Sequence, residues 1–408
     1  MTLLQYIEKN LPRSVFCVTE DKDDLVGLPY PYTVPSPDEM FREMYYWDTY
    51  FTNVGLIAIG NIRQAKNNAD NVAFLVNKIG YMPNSNRAHH LGQSQPPFYF
   101  RMVSDIYDVS EDNDWLSFHY DTLAKEYKFW MTQRISPNGL NYYGPTAKKE
   151  LTPERIEHYY AYFASRFDGF STDDFALKTA AAHTITTLCE SGWDCCSRFG
   201  IDGPFYNPVD LNSLLYGLES TMARFSKILG RGEESLWSDR AQSRKEKMDK
   251  FLFCKEKGIY LDWNFRDEKH SSVVSVASYV PYFVGMEADP EKAMQILQTE
   301  LLLPFGVSCC VPSVYPYPLQ WDYPNVWAPL QYIAYISCIN CGYKDLALSI
   351  AERYMKLLET DFAKTHNLWE KYNGITGQVV NAEYTAPPML GWTAGIYLAF
   401  CRAVGREF

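Results

Sequence analysis

The chain has no block of Lys and Arg, and its formal net charge is -11 over 408 residues. Nucleic-acid and anionic-membrane binders neutralise phosphates with clustered cations, so neither partner is expected. No stretch approaches the ~20 apolar residues of a membrane-spanning helix. Met1 to Pro12 carries neither a basic start nor a long apolar run, which argues against a secretory signal and for a cytoplasmic protein. The ten cysteines then read as reduced, mostly buried thiols. No low-complexity linker or composition break divides the sequence, so residues 1–408 are expected to form one catalytic domain, with 1–40 as a lead-in segment. No fixed period of 20–50 residues is visible, which leaves a helical solenoid as an alternative without its usual signature.

What is abundant is apolar and aromatic. Hydrophobic residues make up 47% and charged residues 21%, enough for a large core and too apolar for disorder. Aromatics reach 16%, including 31 Tyr and 10 Trp, a load that suits both large helical cores and grooves for polar ligands with apolar faces. A neutral small molecule is the expected partner; oligomeric state leaves no signal.

Helical periodicity dominates the chain. It predicts helices over 48–59, 63–78, 98–107, 115–134, 173–189, 210–229, 234–253, 290–301, 326–341, 344–359 and 392–404, with a short β-like piece at Gly258–Trp263. The helices come in consecutive pairs. The loops at 30–46, 81–97, 139–155, 305–325 and 367–390 are rich in Pro, Tyr, Trp, Asn and Gln, a composition poorly suited to mere solvation and typical of loops that build sites. The fold class expected is all-α, helix pairs arranged in a ring.

Two segments place a carboxylate beside a tryptophan: Glu190-Ser-Gly-Trp193-Asp194 and Trp369-Glu370-Lys371-Tyr372. Glycosidic bonds are hydrolysed by such a pair, one acid protonating the leaving oxygen and the other activating water or attacking the sugar. Flanking aromatics stack on sugar faces and raise a carboxyl's pKa by desolvating it. The simpler readings are a helix cap for Asp194 and a surface pair with Lys371 for Glu370. Two metal readings are weak. Cys338 and Cys341 have zinc spacing but lie in an apolar helix without a second pair, and the adjacent His89 and His90 lack a third ligand. No metal or cofactor is expected.

The loops resemble the trehalase family of glycoside hydrolases. Phe41 to Phe51, with Trp47 and Asp48, resembles its N-terminal signature; Met82-Pro-Asn84 and Ser94-Gln95-Pro-Pro97 its next loop; Glu190 to Arg198 its acid segment. Leu319-Gln-Trp321-Asp322 to Trp327 and Gln331 resembles its second signature. Trp369-Glu370, Glu383-Tyr384 and Gly391-Trp392 to Gly395 follow in order. The resemblance implies an (α/α)6 barrel and exo-acting, inverting hydrolysis of a small α-glucoside, with Asp194 as general acid, Glu370 as general base and no cofactor. It implies a sugar pocket lined by Phe41, Trp47, Asp48, Asn84, Gln95, Trp193, Trp321, Asp322, Trp327, Glu383 and Trp392.

The resemblance departs at three arginines of the family's active site, which fall on Met40, Gln93 and Thr152, with Arg155 close enough in sequence to substitute for the last. Arginine brings a planar fork of five donors that Met, Gln and Thr do not reproduce. An altered leaving-group pocket follows, with trehalose, other α-glucosides and sugar–glycerate conjugates as candidate substrates. A non-catalytic sugar-binding protein on the same barrel is the alternative from another class. A phosphorylase is disfavoured by the retained Glu370 and the lost cations.

Overall fold

The computed structural model describes residues 1–38, 40–167, 169–312, 319–381 and 385–406. Fourteen α-helices run through them: α1 (Leu3–Asn10), α2 (Tyr46–Ala58), α3 (Ile62–Ile79), α4 (Tyr99–Ser110), α5 (Asn113–Gln133), α6 (Pro153–Arg166), α7 (Phe175–Ser191), α8 (Val209–Leu229), α9 (Glu234–Phe251), α10 (Val280–Phe283), α11 (Glu291–Ile296), α12 (Ala328–Asn340), α13 (Lys344–Thr365) and α14 (Gly391–Ala403).

Side-chain chemistry explains where they sit. α2, α12 and α14 are apolar on nearly every face and are buried accordingly, whereas α9 buries only Trp237, Ala241, Arg244 and Met248. A helix apolar all round belongs inside; one with a single stripe belongs outside. The buried helices close a ring: α2 packs on α4, α4 on α8, α8 on α10, α10 on α12, α12 on α14, and α14 back on α2. Helices α3, α5, α9, α11 and α13 alternate with these along the chain, and the turn after α1 packs on α14. This is an all-α (α/α)6 barrel. The α6–α7 hairpin is an addition to the alternation, inserted between α5 and α8.

The closing contact between α2 and α14 is backbone to backbone. A Cβ on Gly55 would lie 2.3 Å from the Cα of Gly395, so these helices approach more closely than any side chain allows.

Most predicted helices are present within a few residues of their expected ends. The exceptions have local causes. α6 lies where no helix is expected, because only Ile156 and Phe163 on it are buried and the apolar stripe is too thin to read. The predicted start at 326 gives way to a short strand, Asn325–Trp327, before α12 begins. The predicted 290–301 helix loosens into a wider turn after Ile296. Asn53 and Asn68 are buried: the Asn68 amide donates to Asn53 Oδ1 at 2.7 Å and to Thr33 Oγ1 at 2.9 Å. This amide network knits α2, α3 and the Tyr32–Thr33 strand without leaving polar atoms unsatisfied.

Candidate active site

Three carboxylates from distant parts of the chain converge at one end of the barrel. Asp48 stands in the first turn of α2. Asp194 follows α7, and Glu370 precedes a short strand, Lys371–Asn373. Their charges reach one another: Asp194 and Glu370 both act on Asp48, and Glu370 acts on Asp194.

The segment carrying Asp194 is fixed by a glycine and a buried glutamate. α7 ends on Gly192 in the left-handed region, φ +74, where a Cβ would also meet the Trp47 ring at 2.8 Å. Both facts demand glycine. Gly192→Ala is expected to cost about 1–3 kcal/mol by overpacking and to lower turnover by displacing Asp194. Chemical denaturation and kcat would check this; wild-type values for both would refute the geometry.

Two residues upstream of Gly192, the Glu190 carboxylate is completely buried and fully used. It accepts hydrogen bonds from Ser94 N–H (2.9 Å), Gly144 N–H (2.8 Å) and Arg134 Nε and Nη2 (2.8 and 2.9 Å). The end of α7 is thereby locked to the Ser94–Gln95 loop. Downstream, Arg198 bridges Asp210 and Asp262 with four hydrogen bonds of 2.9–3.1 Å, and its guanidinium carbon lies 4.6 Å from the centre of the Trp193 ring.

Glu370 is placed by strand pairing. Asn325–Trp327 and Lys371–Asn373 form an antiparallel ladder with Trp327 opposite Lys371. Trp369 N–H donates to Tyr372 Oη at 3.0 Å, and Thr393 of α14 donates to the Trp369 carbonyl at 2.9 Å. Lys371 is not at the surface, as the simpler reading of the sequence had it. Its side chain is fully buried, its ammonium lies 3.5 Å from Glu370 Oε2 and sits over the Trp327 ring at 5.0 Å.

The tryptophans form one wall. Trp321 stacks on Trp327 with centroids 3.8 Å apart; Trp47 and Trp193 lie 5.5 and 5.7 Å from Trp321, and Trp392 stands edge-on to Trp47, Trp321 and Trp327. Gln95 Oε1 accepts the Trp47 N–H at 3.1 Å. The Asn84 amide reaches the Cys189 carbonyl at 3.4 Å, beside the acid segment. Asp322 accepts the Ser197 N–H at 2.9 Å, so one of its oxygens holds the acid loop. Phe41 stands at the edge, its ring 6.0 Å from Tyr45. Glu383 lies outside the described residues.

Burial sets the proton affinities. It pushes the Asp194 carboxyl up to about 7, with Arg166 opposing the rise, Glu370 adding to it and Lys371 opposing it. Burial also drives Asp48 well above the usual carboxylate range, reinforced by the charges of Glu370 and Asp194. Asp194 therefore exchanges a proton near neutral pH, and Asp48 favours its protonated form more than an ordinary carboxyl does.

Arg166, the last residue of α6, was not distinguished by sequence. Arg155, the sequence-level substitute, points elsewhere: on the exposed face of α6 its guanidinium donates to Tyr159 Oη at 3.0 Å. The legible signal was the helix start, since Thr152-Pro153-Glu154 is a capping sequence and Thr152 Oγ1 accepts the Arg155 N–H.

The family model described as Trehalase matches residues 6–405. The chain belongs to the trehalase family. Among curated proteins it is 32% identical over 402 residues to the periplasmic trehalase of Xanthomonas campestris pv. campestris (strain 8004), covering 92% of this chain and 68% of that one. The periplasmic trehalase of Xanthomonas oryzae pv. oryzae (strain MAFF 311018) is likewise 32% identical over 401 residues, with the same coverage. Among solved structures, neutral trehalase Nth1 from Saccharomyces cerevisiae superposes with a TM-score of 0.74 at 25% identity, covering 91% of this chain and 73% of that one. A GH63 mannosylglycerate hydrolase from Thermus thermophilus, in complex with Tris and D-glycerate, shares the fold with a TM-score of 0.67 at 16% identity, covering 98% and 100%.

This member of the trehalase family is a glycoside hydrolase. The expected cytoplasmic location is corrected by these relatives, whose names place them in the periplasm; the unremarkable start of the sequence was a poor guide. Among the described residues no helix is long and apolar enough to cross a membrane, and no group of three His, Cys, Asp or Glu is placed to hold a metal ion.

Proposed function

We propose that the protein hydrolyses trehalose or a closely related small α-glucoside with inversion, residues 1–408 acting as one catalytic domain. Asp194 is the general acid and Glu370 the general base. The observation that carries this reading is the pairing itself: a carboxyl held at about 7 by burial, within the field of a second carboxylate, against a wall of tryptophans.

The chemistry follows. Protonated Asp194 gives its proton to the glycosidic oxygen as the C–O bond breaks. Glu370 takes a proton from a water that attacks the anomeric carbon from the other face, and the sugar leaves with inverted configuration. Trp47, Trp193, Trp321, Trp327 and Trp392 exclude solvent and present apolar faces to the ring. Asp48, Asn84 and Gln95 supply hydrogen bonds to hydroxyls. The relatives named trehalases put trehalose first among substrates. The residues at 40, 93 and 152 support a changed leaving-group pocket, for which α-glucosyl disaccharides and sugar–glycerate conjugates are the next candidates.

The test is hydrolysis of trehalose, kojibiose, nigerose, maltose, isomaltose, glucosylglycerate and mannosylglycerate, followed by proton NMR. The β-anomer of the released sugar is expected to appear first. The kcat/KM of the cleaved substrate is expected to fall as pH rises through about 7, because the acid must enter the reaction protonated. An α-anomer appearing first would remove the inverting mechanism. No release from any member of the panel would remove the hydrolase reading.

A further inference from the structure

Three family arginines are absent from their expected positions, yet the site does contain an arginine. Arg166 ends α6, half-buried, and its backbone is tied to the acid segment: Cys195, next to Asp194, donates from Sγ to the Arg166 carbonyl at 3.3 Å. Among the described residues its guanidinium donates one hydrogen bond, from Nη2 to Tyr162 Oη at 3.3 Å, and its carbon lies 5.2 Å from the centre of that ring. Guanidinium has five N–H donors; most of these are unspent.

The other cations around the acid segment are committed. Arg134 is spent on Glu190, Arg198 on Asp210 and Asp262, and Lys371 lies against Glu370 and Trp327. Arg155 has turned away. Position decides what Arg166 meets. The proton donor stands on the side of the departing oxygen, so a cation tied to the donor's own segment and acting on the donor's charge is placed to meet the leaving group.

We propose that Arg166 is the leaving-group residue of this site, binding acceptor oxygens of the aglycone and replacing, from the inserted α6–α7 hairpin, the cations missing at 40, 93 and 152. This rests on the hydrolase reading above and specifies its substrate side. The same charge also holds the Asp194 proton affinity down. Asp194 is faced by Asp48 and Tyr45 at the start of α2, by Tyr162 and Arg166 of α6, by Cys189 of α7, and by Glu370 and Lys371; of these, Arg166 is the strongest influence opposing the effect of burial.

The experiment compares the full chain with its Arg166→Gln, Arg166→Lys and Arg155→Gln variants on the best substrate of the panel and on 4-nitrophenyl α-glucoside, whose flat aglycone offers few acceptors. Arg166→Gln is expected to raise KM for the natural-type substrate about ten- to a hundredfold, the range for losing hydrogen bonds from a charged donor, with a much smaller change for the nitrophenyl glucoside. It is also expected to move the alkaline limb of kcat/KM to higher pH. Arg166→Lys keeps the charge but not the fork, so the limb returns to its wild-type position while KM stays raised. Arg155→Gln is expected to behave as wild type.

A KM within twofold of wild type in Arg166→Gln overturns the proposal. So does an equal loss on both substrates with a lowered melting temperature, which marks a purely structural residue. If the unmutated protein cleaves nothing, the hydrolase reading has failed on its own. Carboxyl 13C titration of Asp194 and calorimetric titration with trehalose then decide Arg166 without turnover: a higher Asp194 pKa and weaker binding in Arg166→Gln support the assignment, and no change in either overturns it.

Discussion

Asp194→Asn is expected to lower kcat on trehalose-type substrates by about a hundred- to ten-thousandfold, the usual contribution of a positioned proton donor, while leaving the protein at least as stable as wild type. Both halves come from one cause. Burial raises the Asp194 carboxyl to about 7 from an ordinary 3.8. Between those values the folded state holds more protons than the unfolded state, so native stability declines as pH rises through the window. Above pH 7 the wild-type protein carries a buried carboxylate that asparagine does not. The variant should therefore melt at or above the wild-type temperature at pH 8, and the difference should vanish toward pH 4. A large fall in melting temperature at pH 8 would show that Asp194 holds the fold together. Glu370→Gln should lose turnover in the same range, and the two can be told apart. A glucoside with a good leaving group needs no proton donor, so 4-nitrophenyl α-glucoside should restore much of the rate to Asp194→Asn. Glu370→Gln should respond to azide, which attacks without a base and yields the β-glucosyl azide. Rescue in the reverse pattern would exchange the two roles.

The second large effect is on stability. Arg198→Met is expected to cost about 3–5 kcal/mol, the range for breaking a buried ion pair by removing one partner, against a total stability of roughly 5–15 kcal/mol for a native protein. Asp210 is 5% exposed and Asp262 2%, so neither carboxylate it leaves behind can turn to water. Asp210 and Asp262 would face each other with no cation between them, retaining, among the described residues, only the N–H groups of Leu211 and Val209. Removing the charges together should recover part of the loss, so the triple variant with Asp210→Asn and Asp262→Asn is expected to be more stable than Arg198→Met alone. Urea denaturation checks both statements, and a cost below about 1 kcal/mol, the level of an exposed pair, would sink the first. Activity should fall with Arg198→Met even where the protein remains folded, because the same guanidinium supports the face of Trp193.

The sequence exposes the barrel because its inner helices are apolar enough to announce themselves. α2, α12 and α14 could hardly be anything but buried. It also exposes Asp194, Glu370 and the tryptophans, because motif segments carry them. Relations between segments are what it conceals. Nothing local says that Trp327 and Lys371 face each other across a ladder, and so Lys371 reads as a surface charge although it is buried. Nothing local says that Asn53 and Asn68 satisfy one another. α6 is nearly invisible because it lies on the barrel as an added hairpin and buries little of itself; Arg166 goes unnoticed with it.

The backbone contact of Gly55 with Gly395 has a consequence for synthesis. α2 is among the first parts of the barrel to leave the ribosome, but α14, its neighbour in the ring, follows roughly 330 residues later. At ordinary elongation rates that is a delay of roughly 15–65 s. Throughout it, the apolar face that α2 reserves for α14 has no native cover, and such a surface attracts other chains. Nascent molecules stalled before residue 391 should be protease-sensitive and retained by holdase chaperones, and release of the last helix should end both states together.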